Sequence, residues 1–359
     1  MGGGAEVHLH EILRHAVKQG HEVTWLACSY PGAADEETGE DGIHYRRRGS
    51  WRLANFTLPG LLKDELRRAS YDLVVEDINK IPFFTPWHTS LPVLVIVPHL
   101  FGATVFRETN PLTASYVYLS ERPIPRVYRR SHFLAISKST ADDLVRRGID
   151  AERVEIVECG MDHRPYRLDD PPARSRVPKL VHLGRLRRYK SVDVVLRALA
   201  AIRRTLPEVE LEIVGDGPDE KRLRGLAEEL GLKEAVHFRG YLPRAEIVKV
   251  LYQSHLFLNP SPKEGWGLTV IEANACGVPV VASRRPGLVD SVREGETGLL
   301  AEYGEAEDFA AKALELLTDP PLWRSYSENA VRWARSFTWE DCAERSLAVM
   351  ERAAREKTR

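Results

Sequence analysis

Glu264 and Glu272 stand on either side of a glycine-flanked turn, Gly265-Trp266-Gly267, with seven residues between them. A carboxylate beside an electron-poor carbon supports positive charge, and one beside a hydroxyl accepts its hydrogen bond. Arg185 and Lys190 follow Gly184 closely, two cations just beyond an apolar run. Arginine grips phosphate oxygens in pairs and lysine adds a point charge, so this pair suits a diphosphate. Leu268 and Thr269 open an apolar stretch that reads as a short helix ending at Gly277. Free amides at Gly267, Leu268 and Thr269 carry partial positive charge and suit the same anion. Thr269-x-x-Glu272 also has the spacing of a capping box, so Glu272 has two readings, ligand carboxylate or helix cap. Glu264 alone reads as a solvated loop residue with no structural partner in the sequence. His99 stands just past an apolar run, in Pro98-His99-Leu100. Gly4 closes a glycine run that opens a helical pattern, a device by which phosphate or sugar approaches backbone.

The elements that must position these residues follow from the apolar pattern. Residues 21–28, 71–76, 91–98, 131–136 and 154–157 read as strands, with an exposed acidic loop over 31–42. Residues 179–183, 211–214, 236–239, 254–258 and 278–282 repeat the pattern, with helical stretches between. Ser139-x-x-Asp142 reads as a capping box. This alternation predicts an α/β chain with parallel sheets, whose ligands bind beyond the carboxyl ends of the strands. Proline and charge over 164–178 mark a boundary between domains at 1–170 and 171–335, with 336–359 as a final helix.

Composition narrows the function classes. At 359 residues the chain holds two ordinary domains, and a formal net charge of −1 gives no global field toward nucleic acid. Four cysteines (Cys28, Cys159, Cys276 and Cys342) lie far apart with no metal spacing, as suits a reducing, cytoplasmic setting. The opening residues do not read as a signal peptide, and the longest apolar candidate, 91–106, is cut by Pro92, Pro98 and His99. The expectation is a soluble chain, peripheral at most on the inner membrane face. Arg46, Arg47, Arg48, Arg52, Lys63, Arg67 and Arg68 are interleaved with Trp51, Leu53, Phe56 and Leu58. That mixture reads either as a solvated face or as a contact with anionic lipid head groups.

The segment from Asn259 to Ser283 resembles the retaining glycosyltransferases of family 4. The residues that carry the likeness are Glu264-Gly265-Trp266-Gly267, Glu272, and Ala275-Cys276-Gly277-Val278-Pro279-Val280. The resemblance implies a GT-B architecture, two Rossmann-like domains facing each other across a cleft. The N-terminal domain is then the acceptor side, 171–335 binds the nucleotide-sugar donor, and 336–359 crosses back. It implies that Glu264 contacts donor hydroxyls and supports charge at the reacting carbon, with Gly265 and Trp266 beside the sugar. Glu272 then binds the ribose, Tyr241 and Leu242 lie by the base, and Arg185 and Lys190 neutralise the leaving diphosphate. His99 is implied near the donor's reacting end. Such enzymes carry a strand and loop before the Gly-Gly-Gly-Ala-Glu segment, so an N-terminal sheet short of its first strand is expected.

The reaction so implied moves a hexosyl unit from a UDP- or GDP-hexose to a glycan or lipid-linked acceptor of polysaccharide synthesis. No D-x-D stands at a strand end, so a metal-free transfer with no other cofactor is expected. The rivals are a donor-binding homologue without turnover, and a sugar-nucleotide epimerase or phosphorylase on the same fold. No pyridoxal-binding lysine context is found for a phosphorylase. An NAD dehydrogenase needs its glycine motif between strand and helix, and no strand precedes Gly2. The acceptor has no generic code in the sequence.

Overall fold

The computed structural model describes residues 4–356. The chain forms two compact units, one of Met1–Gly160 with Trp339–Arg359, the other of Met161–Thr338.

In the first unit, β1 (Thr24–Ala27), β2 (Glu36–Thr38) and β3 (His44–Arg47) form a sheet in the order β1-β3-β2. β1 runs parallel to β3, and β2 antiparallel to it. A second sheet holds β4 (Val74–Asp77), β5 (Val93–Val97), β6 (His132–Ala135) and β7 (Val154–Ile156), parallel and in chain order. The helices are α1 (Gly4–Lys18), α2 (Ala54–Arg68), α3 (Pro111–Glu121), α4 (Ile124–Val127) and α5 (Lys138–Arg146), joined by the terminal helix Trp339–Arg355. β5 is buried along its whole length, as its unbroken apolar run requires of a central parallel strand. β2 was not expected, because its three residues are polar and exposed; it lies within the predicted acidic loop. Ser137, not Ser139, caps α5: its Oγ accepts from the Thr140 amide at 3.2 Å, while Asp142 pairs with Lys138.

The basic run is not a uniform solvated or lipid-facing surface. Arg46 and Arg47 are buried, Arg46 paired with Glu65 and Glu36 and Arg47 with Glu37. Those charges are neutralised inside the fold because a buried guanidinium needs a partner. Trp51 and Phe56 do stand exposed nearby. Among the described residues no helix is long and apolar enough to cross a membrane.

The second unit has one six-stranded parallel sheet in the order β10-β9-β8-β11-β12-β13. Its strands are β8 (Lys179–Leu183), β9 (Glu210–Val214), β10 (Val236–Gly240), β11 (Leu256–Asn259), β12 (Val280–Ser283) and β13 (Gly298–Ala301). The helices are α6 (Val192–Ile202), α7 (Glu220–Glu229), α8 (Arg244–Gln253), α9 (Leu268–Ala275), α10 (Leu288–Ser291), α11 (Ala306–Leu317) and α12 (Pro320–Arg335). A core of Leu180, Leu196, Leu199, Ile213, Leu258 and Phe309 packs helices against the sheet. From β8 the chain steps outward to β9 and β10, then returns to β11 on the other side of β8. That reversal opens a crevice at the carboxyl ends of β8 and β11.

His182 fastens the two strands there. Its Nδ1 lies 2.9 Å from the Leu258 carbonyl, so Nδ1 carries the proton and donates. Burial pushes the imidazole down to about 4 from 6.5, so the ring is neutral in the fold. Between pH 6.5 and 4 the unfolded chain holds a proton here that the folded chain does not, so stability falls as pH falls. Relative to His182→Asn, the native chain should lose about 2 kcal/mol between pH 7 and pH 5, at about 1.4 kcal/mol per pH unit below 6.5. Denaturant titrations of both chains at the two pH values check this; a pH-independent difference would mean that the histidine titrates alike in the folded and the unfolded chain.

Candidate functional site

The loop after β11 is built from main chain before any side chain acts. Asn259 accepts the Ser261 amide at 3.2 Å, turning the chain at Pro260. The Glu264 amide donates to the Pro286 carbonyl at 3.0 Å. Gly287 follows with φ +83°, and a Cβ on it would lie 2.2 Å from the Glu264 carbonyl oxygen. Only glycine permits that approach. Gly267, at φ +86°, starts α9, and its own Cβ would sit 2.9 Å from Ser291 Oγ. That hydroxyl in turn donates to the Gly287 carbonyl at 3.0 Å.

Gly267 is therefore the N-cap of α9, and no side chain caps it. The capping-box reading of Thr269 and Glu272 is overturned. The left-handed glycine puts Thr269 one residue inside the helix, past the position a cap must hold. The first-turn amides of Leu268 and Thr269 thus have no side-chain cap at the mouth of the crevice.

Lys190 Nζ and Glu264 Oε1 are 2.6 Å apart, each side chain about one-fifth exposed. Glu264 is thus not the partnerless loop residue that its sequence context suggested. Lys190 ends a 3-10 turn, Arg188–Lys190, and Ser191 follows in the left-handed region at φ +56°. The Ser191 hydroxyl lies 3.1 Å from that of Tyr303, which fixes the turn. Arg185 stands exposed on the same loop. The Leu186 amide donates to the Asp216 carbonyl at 2.7 Å, tying this loop to the Gly215-Asp216-Gly217 turn after β9. The crevice thus gathers Lys190, Glu264 and the start of α9 on loops pinned by backbone hydrogen bonds.

Glu272 is met by a residue the sequence reading missed. Arg244 Nη1 lies 2.6 Å from Glu272 Oε1 and also donates to the buried Tyr166 hydroxyl. Burial, reinforced by the Glu272 carboxylate, raises the Tyr166 phenol well above its ordinary range, so it stays protonated. Tyr241 is exposed and Leu242 half-buried on the turn between β10 and α8, just ahead of Arg244. Arg244 starts α8 straight after that turn, a strand-end position like that of Arg185; this was the available signal.

Trp266 is 4% exposed and packs edge-on against Phe337 at 5.1 Å, so its indole belongs to the packing of the unit. In the first unit His99 is half-buried past the end of β5, its ring edge-on to Phe101 at 4.8 Å. The Phe101 and Gly102 amides donate to the buried Glu121 carboxylate at 2.6 and 2.8 Å, and Arg147 pairs with it. Glu121 and Arg147 therefore hold the His99 loop, which sequence spacing did not reveal. Gly4 is the first residue of α1; Gly2 and Gly3, the rest of that expected loop, lie outside the described residues. Among the described residues no group of three His, Cys, Asp or Glu side chains is placed to hold a metal ion.

Residues 2–165 match the sequence family described as Glycosyltransferase Family 4, and residues 168–333 that described as Glycosyl transferases group 1. A D-inositol 3-phosphate glycosyltransferase of Rhodococcus jostii is 34% identical over 233 residues, 61% of this chain and 52% of that protein. The chain spans about half the length of the curated relatives it matches. Sucrose-phosphate synthase from Thermosynechococcus elongatus superposes with TM-score 0.78 at 21% identity, over 98% of this chain and 94% of that one. HepE of Anabaena, crystallised with UDP and glucose, superposes with TM-score 0.76 at 19% identity, over 98% and 96%. At such identities these likenesses speak for the fold, two Rossmann-like units of the GT-B type. With both halves of its sequence matched in this way, the chain belongs to glycosyltransferase family 4.

Proposed function

We propose that this chain is a retaining glycosyltransferase that moves a hexosyl unit from a UDP- or GDP-hexose to a glycan or lipid-linked acceptor, without a metal. The observation that carries the reading is the Lys190–Glu264 pair at 2.6 Å beside the uncapped start of α9. In this reading the leaving diphosphate takes Lys190, Arg185 and the first amides of α9, Gly267 to Thr269, with Gly4 as a further contact. Lys190 then exchanges its carboxylate for phosphate, and Glu264 turns to the donor sugar, where its charge supports the oxocarbenium-like carbon. Gly265 and Trp266 border the sugar through backbone. Glu272, steadied by Arg244, takes the ribose, and the turn at Tyr241 and Leu242 borders the base. His99 is kept as a second catalytic group on the strength of the family likeness. Support comes from HepE, a structural relative solved with UDP and glucose. A smaller acceptor is the second reading, favoured by relatives named for D-inositol 3-phosphate: a phosphorylated cyclitol in place of the glycan.

The test is turnover of the native chain and Glu264→Gln with radiolabelled UDP- and GDP-hexoses, against both a lipid-linked glycan and inositol phosphate. Glu264→Gln should lose roughly a hundredfold in turnover. Its affinity for the free nucleoside diphosphate should hold or rise, since Lys190 no longer shares its charge. Intact turnover in that variant would remove the central claim, and nucleotide binding without any turnover in the native chain would favour the donor-binding rival.

Lys190→Ala and Arg185→Ala should each weaken nucleoside diphosphate binding about tenfold or more, through a charge-assisted contact of about 1.5–3 kcal/mol. Calorimetry on both variants decides it, and unchanged affinity would take that cation out of the site.

If cations and amides serve in place of a metal, turnover should persist in excess EDTA. Complete loss, restored by magnesium or manganese, would show that the diphosphate is held differently.

A further inference from the structure

The second unit holds a cavity of about 320 Å³ at the far end of α9 from the crevice. Its walls include Arg167, Arg174, Arg335, Tyr166, Tyr252 and Cys276, and every lining residue belongs to the second unit. α9 starts at the crevice and ends at this cavity, about 12 Å away at about 1.5 Å per residue. The segment 164–178 supplies two of the arginines, and α12 ends with the third.

No carboxylate lines the cavity, so the formal charge of its walls is wholly positive. Among the described residues Arg167 and Arg335 make no ion pair, and both are exposed. Arg174 is fixed in the wall. Its guanidinium carbon lies 4.7 Å from the centre of the Trp323 ring, and it donates to the carbonyls of Ser254, Cys276 and Gly277. Two of those carbonyls close α9, whose terminal dipole Arg174 answers, but a partial charge does not cancel a full one. Burial pulls this guanidinium down to about 10, and no carboxylate acts on it, so it stays charged at neutral pH. The remaining walls add no negative charge. Burial pushes the Cys276 thiol up to about 12 and raises the Tyr252 phenol. Glu272 acts on Cys276 from outside the cavity, and its charge is already met by Arg244.

We propose that this cavity is an anion site that takes a dianionic phosphate group, with Arg167 and Arg335 gripping its oxygens and Arg174 adding charge from the wall. A phosphate monoester carries a charge of about −1.5 to −2 at neutral pH, which the two exposed guanidiniums balance. A carboxylate brings one charge and leaves the others unanswered. The guanidinium fork also matches two phosphate oxygens at once. At about 320 Å³ the space stands at the small end of ligand pockets, with room for a phosphate on a body of sugar size. Tyr252 and Val331 offer that body apolar surface, because the Tyr252 hydroxyl is engaged by the Tyr166 carbonyl at 2.8 Å. Neither Arg185 nor Lys190 lines the cavity, so the site is distinct from the donor crevice and does not rest on the donor reading.

Calorimetry with inorganic phosphate, glycerol 3-phosphate and ribose 5-phosphate tests this, on the native chain and on the chain carrying Arg185→Ala with Lys190→Ala. Saturable binding should persist when the crevice cations are gone. Arg167→Ala and Arg335→Ala should each weaken it about tenfold, and Arg335→Lys should recover part of the loss by restoring the charge. Both positions are exposed, so the melting temperature should hold and separate lost binding from lost folding. Equal affinity for all three probes assigns the site to free phosphate, and tighter binding of an ester assigns it to a phosphate monoester. Binding that survives Arg167→Ala combined with Arg335→Ala, or that vanishes with the crevice cations alone, overturns the proposal. So does the absence of saturable binding by all three probes at millimolar concentration.

Discussion

The crevice of the second unit depends on a contact that involves no charge. The Glu264 carbonyl occupies the space a Cβ would need on residue 287, and the Glu264 amide is tied to Pro286. Because main chain fixes the loop, the carboxylate does not have to anchor it. Glu264 is therefore able to exchange partners while its backbone stays in place, the kind of preorganisation that spares a site reorganisation when charge develops. The left-handed turn at Gly267 extends the same logic, setting the start of α9 from backbone geometry with no side chain in the way.

On this frame the ionic groups come in matched pairs, Lys190 with Glu264 and Arg244 with Glu272. Both pairs keep some contact with solvent, and solvent-exposed pairs contribute only about 0–1 kcal/mol to a fold. Solvent contact also lowers the cost of separating them, which suits the exchange of a protein partner for a ligand proposed for these groups. Tyr166 and Glu121 differ in being buried.

Much of the second unit was legible in the sequence, and the reason is burial. β8 falls at residues 179–183 as expected, because a strand covered on both faces is an unbroken apolar run with sharp ends. The glycines and glutamates after β11 were legible through motif and spacing. What spacing does not carry is which distant side chain meets which. Lys190 is 74 positions from Glu264 and Arg244 is 28 from Glu272, and neither pairing leaves a local trace. Thr269 misled because a cap is a matter of φ as well as residue type, and the glycine two places earlier decided it. Arg46 and Arg47 misled for a related reason. A run of arginines looks solvated until the glutamates of a neighbouring strand and helix are placed beside it.

The strand order of the second unit bears on how the chain comes to be folded. β8 lies at the centre of its sheet, yet its neighbour β11 is supplied 76 residues later, where Leu256 pairs with Leu180. While the chain is being synthesised, β8 can pair with β9 long before β11 has emerged, leaving one apolar edge uncovered for several seconds at ordinary rates of translation. Loop closure over that span is slow compared with hairpin or helix formation. The crevice, which needs both strands, is thus among the last features of the unit to exist, and until then that strand edge stays open to pairing with other polypeptides.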